Sequence, residues 1–370
     1  MPVPLLDLKA QHARIRDKVV SAMMEVVDDQ TFILGKQVED FEKECAALSH
    51  TKYAIGVANG SDALLLSLRA LGIGAGDEVV TTPFTFFATA GMTHNSGAKP
   101  VFADIDGDTF SMNPAAAAAA VTSRTKAIMP VDLFGQMSPI ERYRAAMPNI
   151  PLVEDAAQSI GARRSFDGEW RMAGEMATIG TYSFFPSKNL GGYGDGGMIV
   201  TQDADLAMRL RRLRTHGAIK TYVHEVVGFN SRLDTLQAAV LSAKLPFLAE
   251  WSAARRAHAA YYDAAFADLS DIRTPAIDSA NESIYNQYTI RTERRDDLQA
   301  HLKGKEIGTA IYYPIPLHLQ ECFAYLGYKQ GAFPESERAA KEVLSLPVYP
   351  ELTQSQQDEV IAAVRSFFGR

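Results

Sequence analysis

The chain has 370 residues, 47% of them hydrophobic and 22% charged, with a formal net charge of −7. That length exceeds one ordinary core, so two domains are expected, and the acidic, well-mixed charge argues against nucleic acid as a partner. Cys45 and Cys322 are its two cysteines, too few and too far apart for a disulfide framework or a thiolate metal site, so no metal is expected. No basic segment leads into a long apolar run near Met1, and no stretch reaches the length of a membrane span. A cytoplasmic protein without membrane contact is the expectation.

In chain order, residues 9–29 read as a helix, expected to pack beside the smaller domain. Short apolar runs follow at 53–57, 78–81, 100–103, 126–130 and 151–154, rich in β-branched residues and bounded by Gly, Pro or Asp. Between the first two, Ser61 to Leu71 reads as a helix, with a serine start and Gly72 as its stop. The alanine run 115–120 is a further helix, and later strands are expected at 178–184 and 197–201. Strands apolar throughout, without alternation, suit a mainly parallel sheet covered by helices on both faces. From Leu233 to Leu248 leucines and Val240 recur at helical spacing, broken by Pro246, and helix continues toward Phe266. A strand at 285–291 and helices near 295–303 and 354–368 complete a smaller α+β unit. The fold class expected is α/β, with a large three-layer αβα domain over 1–245 and a small α+β domain over 246–370.

Two residues stand out chemically. Lys188 lies in Ser183-Phe184-Phe185-Pro186-Ser187-Lys188, just before the glycine-rich run 191–197, among aromatics that would desolvate its amine and lower its pKa. Asp155 follows the apolar strand 151–154, at the strand end where ligands collect in open α/β sheets. A lysine for an aldehyde and an acid for a pyridine nitrogen together point to pyridoxal 5'-phosphate. Taken alone, Asp155 better suits a helix cap, and Lys188 still more a solvated surface charge. Asn59-Gly60-Ser61 offers a phosphate cradle, because Gly60 admits close backbone approach and Ser61 opens a helix whose N-terminus favours anions. Ser183 offers a hydroxyl, Phe86 a plate for the ring, and Gln158 a donor to the cofactor's phenolic oxygen.

These motifs run in one direction along the chain, and with them the sequence resembles the DegT/StrS-type sugar aminotransferases of fold-type I, the aspartate-aminotransferase-like architecture. The resemblance also includes Pro130-Val131-Asp132-Leu133-Phe134-Gly135-Gln136, Glu154-Asp155-Ala156-Ala157-Gln158, Gly228-Phe229-Asn230-Ser231-Arg232-Leu233-Asp234 and Tyr313-Pro314-Ile315-Pro316-Leu317-His318. It implies that Lys188 is the Schiff-base lysine and proton carrier, and that Asp155 is the pyridinium partner. Gly60, Ser61, Phe86, Gln158 and Ser183 would hold the cofactor. Asn230 would reach the phosphate from a neighbouring subunit, making a homodimer with composite sites. Arg232, Tyr312, Tyr313 and His318 would lie near the sugar, with Arg232 suited to a uronate carboxylate.

The implied reaction takes an amino group from L-glutamate and places it on position 3 of a nucleotide-linked 3-oxo sugar, for surface polysaccharide or amino-sugar synthesis. UDP-2-acetamido-2-deoxy-3-oxo-glucuronate is favoured, with dTDP-3-oxo-6-deoxyhexoses close to it. Tyr312 and His318 depart from some uronate enzymes, where histidine and asparagine are expected. A 4-oxo sugar substrate, an amino acid substrate and a regulatory protein keeping the fold remain as alternatives, whereas Lys188 argues against the dehydrating branch, which carries histidine there.

Overall fold

The computed structural model describes residues 2–369. The chain opens with α1 (Leu8–Asp29), capped by the Asp7 carboxylate on the amides of Lys9 and Ala10, and α2 (Lys36–Leu48). Strands and helices then alternate through β1 (Tyr53–Val57), α3 (Gly60–Ala70), β2 (Glu78–Thr81), α4 (Ala88–Asn95), β3 (Lys99–Phe102), α5 (Pro114–Ala119), β4 (Thr125–Ile128), α6 (Ile140–Ala146) and β5 (Val153–Asp155). A hairpin of β6 (Arg163–Phe166) and β7 (Glu169–Met172) precedes β8 (Ile179–Ser183), β9 (Gly197–Thr201) and α7 (Ala204–Leu213).

Seven strands form one sheet in the order β3-β2-β4-β5-β8-β9-β1, its two halves joined by the parallel bridges Ile128 to Leu152 and Val131 to Asp155. Pairing is parallel except at β9, which runs antiparallel to both β8 and β1. The exception has a local cause. No crossover helix separates β8 from β9, only the glycine-rich loop 184–196, and a short loop can join only antiparallel neighbours. That loop carries Lys188.

Alternate residues of the strands pack on opposite layers. Ala54, Tyr182, Met198 and Val200 face Val38, Phe41 and Leu241, while Ile55, Val57, Ile179 and Ile199 face Leu66, Leu206 and Leu210. Each fully buried leucine in these layers is worth roughly 2 kcal/mol of transfer free energy. The α3 start differs from the sequence expectation: the helix begins at Gly60, and Asn59 rather than Ser61 caps it by accepting the Asp62 amide at 2.8 Å.

A second hairpin, β10 (Ala218–Lys220) and β11 (Val223–His224), leads to α8 (Thr235–Lys244), and a 3-10 turn over Leu245–Phe247 passes the chain into α9 (Leu248–Phe266). Beyond lie β12 (Asn281–Glu282), β13 (Tyr288–Arg291), α10 (Arg295–Gly304), α11 (Pro334–Glu342), β14 (Val343–Leu346) and α12 (Gln354–Phe367). Tyr262, Tyr288, Ile290, Leu302, Leu344 and Val360 share a separate core with Val3, which bridges Ile307. β13 starts three residues later than expected because Tyr285 takes a left-handed φ of 45°, which no strand continues. Helix α1 lies on α8 and α9, through Ile15, Val19, Val240 and Trp251, so only the segment before it joins the smaller core.

Candidate active site

Four loops meet at the carboxyl edge of the parallel strands. Asp155 ends β5, and its strand partner in β8 is Thr181, seven residues before Lys188. Ser183 ends β8 opposite Gly197 of β9, and Gly197 pairs in turn with Val57 at the end of β1. The loop after β2 carries Phe86 into α4. The fold therefore gathers Asp155, Lys188, Gly60, Ser183 and Phe86 on one rim.

Lys188 and Asp155 are close enough to influence each other's charge. Burial pushes the Lys188 amine down to about 8, opposed by attraction to Asp155. Asp155 is shifted upward by burial, opposed by hydrogen bonds from Thr89 and the Ala157 amide and by attraction to Lys188. Thr89 Oγ1 donates to Asp155 Oδ2 at 2.8 Å, and Thr85 Oγ1 lies 2.9 Å from Thr89 Oγ1. Neither threonine was singled out from sequence, although their i, i+4 spacing around Phe86 was a usable signal.

The start of α3 forms a cradle in which Gly60 is required by space. A Cβ at Gly60 would lie 2.7 Å from Ser183 Cβ and 3.1 Å from Ser183 Oγ, and one at Gly197 would lie 2.4 Å from the Asn59 carbonyl oxygen. Unencumbered amides at the N-terminus of an eleven-residue helix favour an anion such as a phosphate. Gly60→Ala is expected to raise the dissociation constant for pyridoxal phosphate about tenfold. Titration of the apo-protein by absorbance checks this, and an unchanged constant would remove Gly60 from the cradle.

Phe86 is 55% exposed, a large apolar ring held at this rim 6.2 Å from the Tyr313 ring. Gln158 is buried, its Oε1 accepting the Phe134 amide at 2.7 Å and its Nε2 donating to the Tyr313 hydroxyl at 3.2 Å. Burial raises the Tyr313 phenol, so it stays a neutral donor or acceptor at working pH. Tyr312 is half-buried beside it, with ring centroids 5.8 Å apart. A carboxylate facing an amine, an aromatic plate and a tight helix-start cradle together fit a phosphorylated pyridine aldehyde.

The remaining candidates divide. Arg232 is half-buried, and among the described residues nothing forms an ion pair or hydrogen bond with it, so a helix-start salt bridge is not its role. Asn230 is exposed and bridges Thr215, while Ser231 next to it accepts the Ala58 amide at 3.3 Å, tying this loop to the segment before Gly60. His318 is the candidate most enclosed. It is 2% exposed, its Nε2 lies 3.0 Å from Glu337 Oε1, and its ring packs edge-on to Phe333. A side chain so enclosed meets Glu337 and Phe333 rather than open space. It holds the loop whose Leu317 amide donates to the Pro83 carbonyl at 2.7 Å.

Residues 13–365 match the DegT/DnrJ/EryC1/StrS aminotransferase family. The chain belongs to that family. It is 50% identical to a Geobacillus stearothermophilus protein named a pleiotropic regulatory protein, over 100% of this chain and 99% of that one. It is 43% identical to the UDP-N-acetyl-3-dehydro-alpha-D-glucosamine 3-aminotransferase of Acidithiobacillus ferrooxidans, over 98% and 97% of the two chains. The UDP-2-acetamido-2-deoxy-3-oxo-D-glucuronate aminotransferase of Pseudomonas aeruginosa is also 43% identical, over 98% and 99%. Among solved structures, DesV of S. venezuelae superimposes with a TM-score of 0.96 at 41% identity, over 100% of this chain and 99% of that one. The family member described here is thus a fold-type I, pyridoxal phosphate-dependent aminotransferase. No helix among its described residues is long and apolar enough to cross a membrane.

Proposed function

We propose that this aminotransferase moves the amino group of L-glutamate to carbon 3 of a UDP- or dTDP-linked 3-oxo sugar. The observation carrying the reading is the Lys188 amine, lowered toward neutrality beside the buried Asp155 carboxylate on adjoining strand ends. When bound, pyridoxal phosphate supplies an aldehyde for the donor's amine and a ring that takes up electrons released at the reacting carbon. Asp155 would keep the proton on the ring nitrogen, Phe86 would cover one face, Gln158 would meet the phenolic edge, and Gly60, Ser61 and Ser183 would receive the phosphate. Lys188 would hold the proton taken from the donor's reacting carbon and give it up at the sugar carbon.

The relatives' names support a sugar oxidised at carbon 3, both with and without a carboxylate at carbon 6. Arg232, half-buried and without a counter-ion, favours the uronate, because a guanidinium pairs a carboxylate through two hydrogen bonds. A second copy of the chain is part of the reading. Asn230 is exposed in the loop after the β10–β11 hairpin, whose flanks expose Tyr222 (93%) and Val227 (85%), an apolar surface a partner subunit would cover.

Purified protein incubated with glutamate and a panel of UDP- and dTDP-linked 3-oxo sugars is expected to yield the 3-amino product by mass. Arg232→Met is expected to raise KM for the uronate about tenfold or more and leave neutral sugars within twofold. Equal losses on both would remove the carboxylate role of Arg232. The name of the Geobacillus relative keeps a regulatory role as a second reading. A cofactor colour that glutamate fails to bleach would favour it over catalysis.

A further inference from the structure

One strand position before Asp155, and buried in the opposite layer, Glu154 is fully enclosed, with the Gly174 amide and Asp132 close by and, among the described residues, no partner of ordinary hydrogen-bond geometry on either carboxylate oxygen. Its neighbour Asp132 is equally buried and fully engaged. Asp132 Oδ1 accepts the Ser138 amide at 2.7 Å, Oδ2 accepts the Ser159 hydroxyl at 2.7 Å, and its own amide donates to the Asp155 carbonyl at 3.0 Å. Two adjacent buried carboxylates cannot both stay ionised, so one proton lies between them. Burial pushes both upward, Asp132 to about 6 and Glu154 well beyond the usual range, which puts the proton on Glu154 and the charge on Asp132.

The consequence lies at Gln158. Ser159, gripped by Asp132, is the next residue, and Phe134, whose amide donates to Gln158 Oε1, is two residues after Asp132. Phe134 reaches that position only through a left-handed φ of 61°, an uncommon conformation for a bulky side chain. Asp132 thus fastens both turns that fix the Gln158 amide, and Glu154 beside it, carrying the shared proton, adds no second charge next to a carboxylate that has no arginine or lysine partner among the described residues. We propose that Asp132, enclosed beside Glu154 and bonded to Ser138 and Ser159, is a positioning residue that sets the orientation of Gln158 toward the cofactor's phenolic oxygen. This rests on the reading of Gln158 given above. The pair does not touch the cofactor and acts through the two turns.

The test is a pH titration of the visible band of the bound cofactor, which reports hydrogen bonding at the phenolic oxygen independently of turnover. A donor to the ionised oxygen lowers the midpoint, so losing it raises the midpoint. Gln158→Ala, Asp132→Asn and Ser159→Ala are each expected to raise it by about 0.5 pH unit or more, since a hydrogen bond favouring the charged form is weakened in all three. Ser159→Ala deletes one tether and keeps the Asp132 carboxylate, a second variant that guards against loss of the Asp132 variant. Added to Gln158→Ala, Asp132→Asn should produce no further shift, because coupled residues are non-additive. Glu154→Gln, which keeps a neutral donor to Asp132, should hold the midpoint of the parent. A shift from Gln158→Ala with none from Asp132→Asn or Ser159→Ala overturns the positioning role alone. No shift from Gln158→Ala overturns the Gln158 reading and this inference with it.

Discussion

Lys188→Ala is expected to lower kcat by about 10⁴-fold or more while leaving a folded protein that still takes up pyridoxal phosphate without a covalent link. An amine lowered from 10.5 to about 8 is neutral far more often at pH 7, by a factor of roughly 300, and only the neutral amine attacks a carbonyl or accepts a proton. Lys188→Arg keeps the charge and still fails, since guanidinium does not deprotonate in this range. Stability should move differently. A lysine whose folded pKa is depressed contributes stability above about pH 10.5 and loses it as pH falls through 8, so at pH 7 the charged amine is a cost to the apo fold. The apo-protein carrying Lys188→Ala is therefore expected to melt no lower than the parent at pH 7. Sodium borohydride followed by mass measurement reads the covalent link, and scanning calorimetry the stability. Retained turnover would sink the assignment of Lys188. If Asn230 reaches the partner's site as proposed, mixing chains carrying Lys188→Ala with chains carrying Asn230→Ala should restore up to about a quarter of parental activity, because half of such dimers would be mixed and each would hold one intact site.

Much of this site was legible before any coordinates because strand ends are legible. Apolar runs bounded by Gly, Pro and Asp located every strand that carries a cofactor residue, and in a mainly parallel sheet the residues following such strands share an edge. Asp155, Ser183 and Lys188 come together for that reason. Local chemistry was read less completely. The β6–β7 hairpin turns on Asp167-Gly168, with φ values of 52° and 76°, a pairing that marks a two-residue hairpin loop and was passed over. Asn59 was overlooked as the α3 cap because the serine beside it has the same propensity. His318 shows the other limit. A histidine beside a Tyr-Pro motif carries no sign of which way its ring turns, and that direction is set by Glu337 and Phe333, neighbours distant in sequence or hidden by helix geometry. The Asp132–Glu154 pair is invisible for a similar reason, since its meaning depends on what lies across the sheet.

The second large effect is expected at Asp155, and there activity and apo stability should change in opposite directions. Asp155→Asn is nearly isosteric: its carbonyl oxygen can still accept the Ala157 amide, and its amide nitrogen can donate to Thr89 Oγ1 once the Thr85 and Thr89 hydroxyls turn. The fold thus loses no contact. It does lose a negative charge that burial disfavours. A carboxylate whose folded pKa is raised contributes stability below the unfolded value of 3.8 and loses it as pH rises through the folded pKa, so the penalty grows as pH rises above 3.8. Removing it should raise the apo melting temperature by about 1–3 °C. Lys188 then keeps a buried charge without its neighbour and should titrate lower than about 8, becoming a better nucleophile. Turnover should nevertheless fall about 10³-fold, because no anion remains to keep the pyridine nitrogen protonated and the ring loses its pull on the reacting electrons. Calorimetry of the apo-protein and single-turnover bleaching by glutamate read the two effects separately. A variant that bleaches at the parental rate would show that Asp155 only caps the turn at Ala156–Ala157, and the chemical reading of the pair would fail with it.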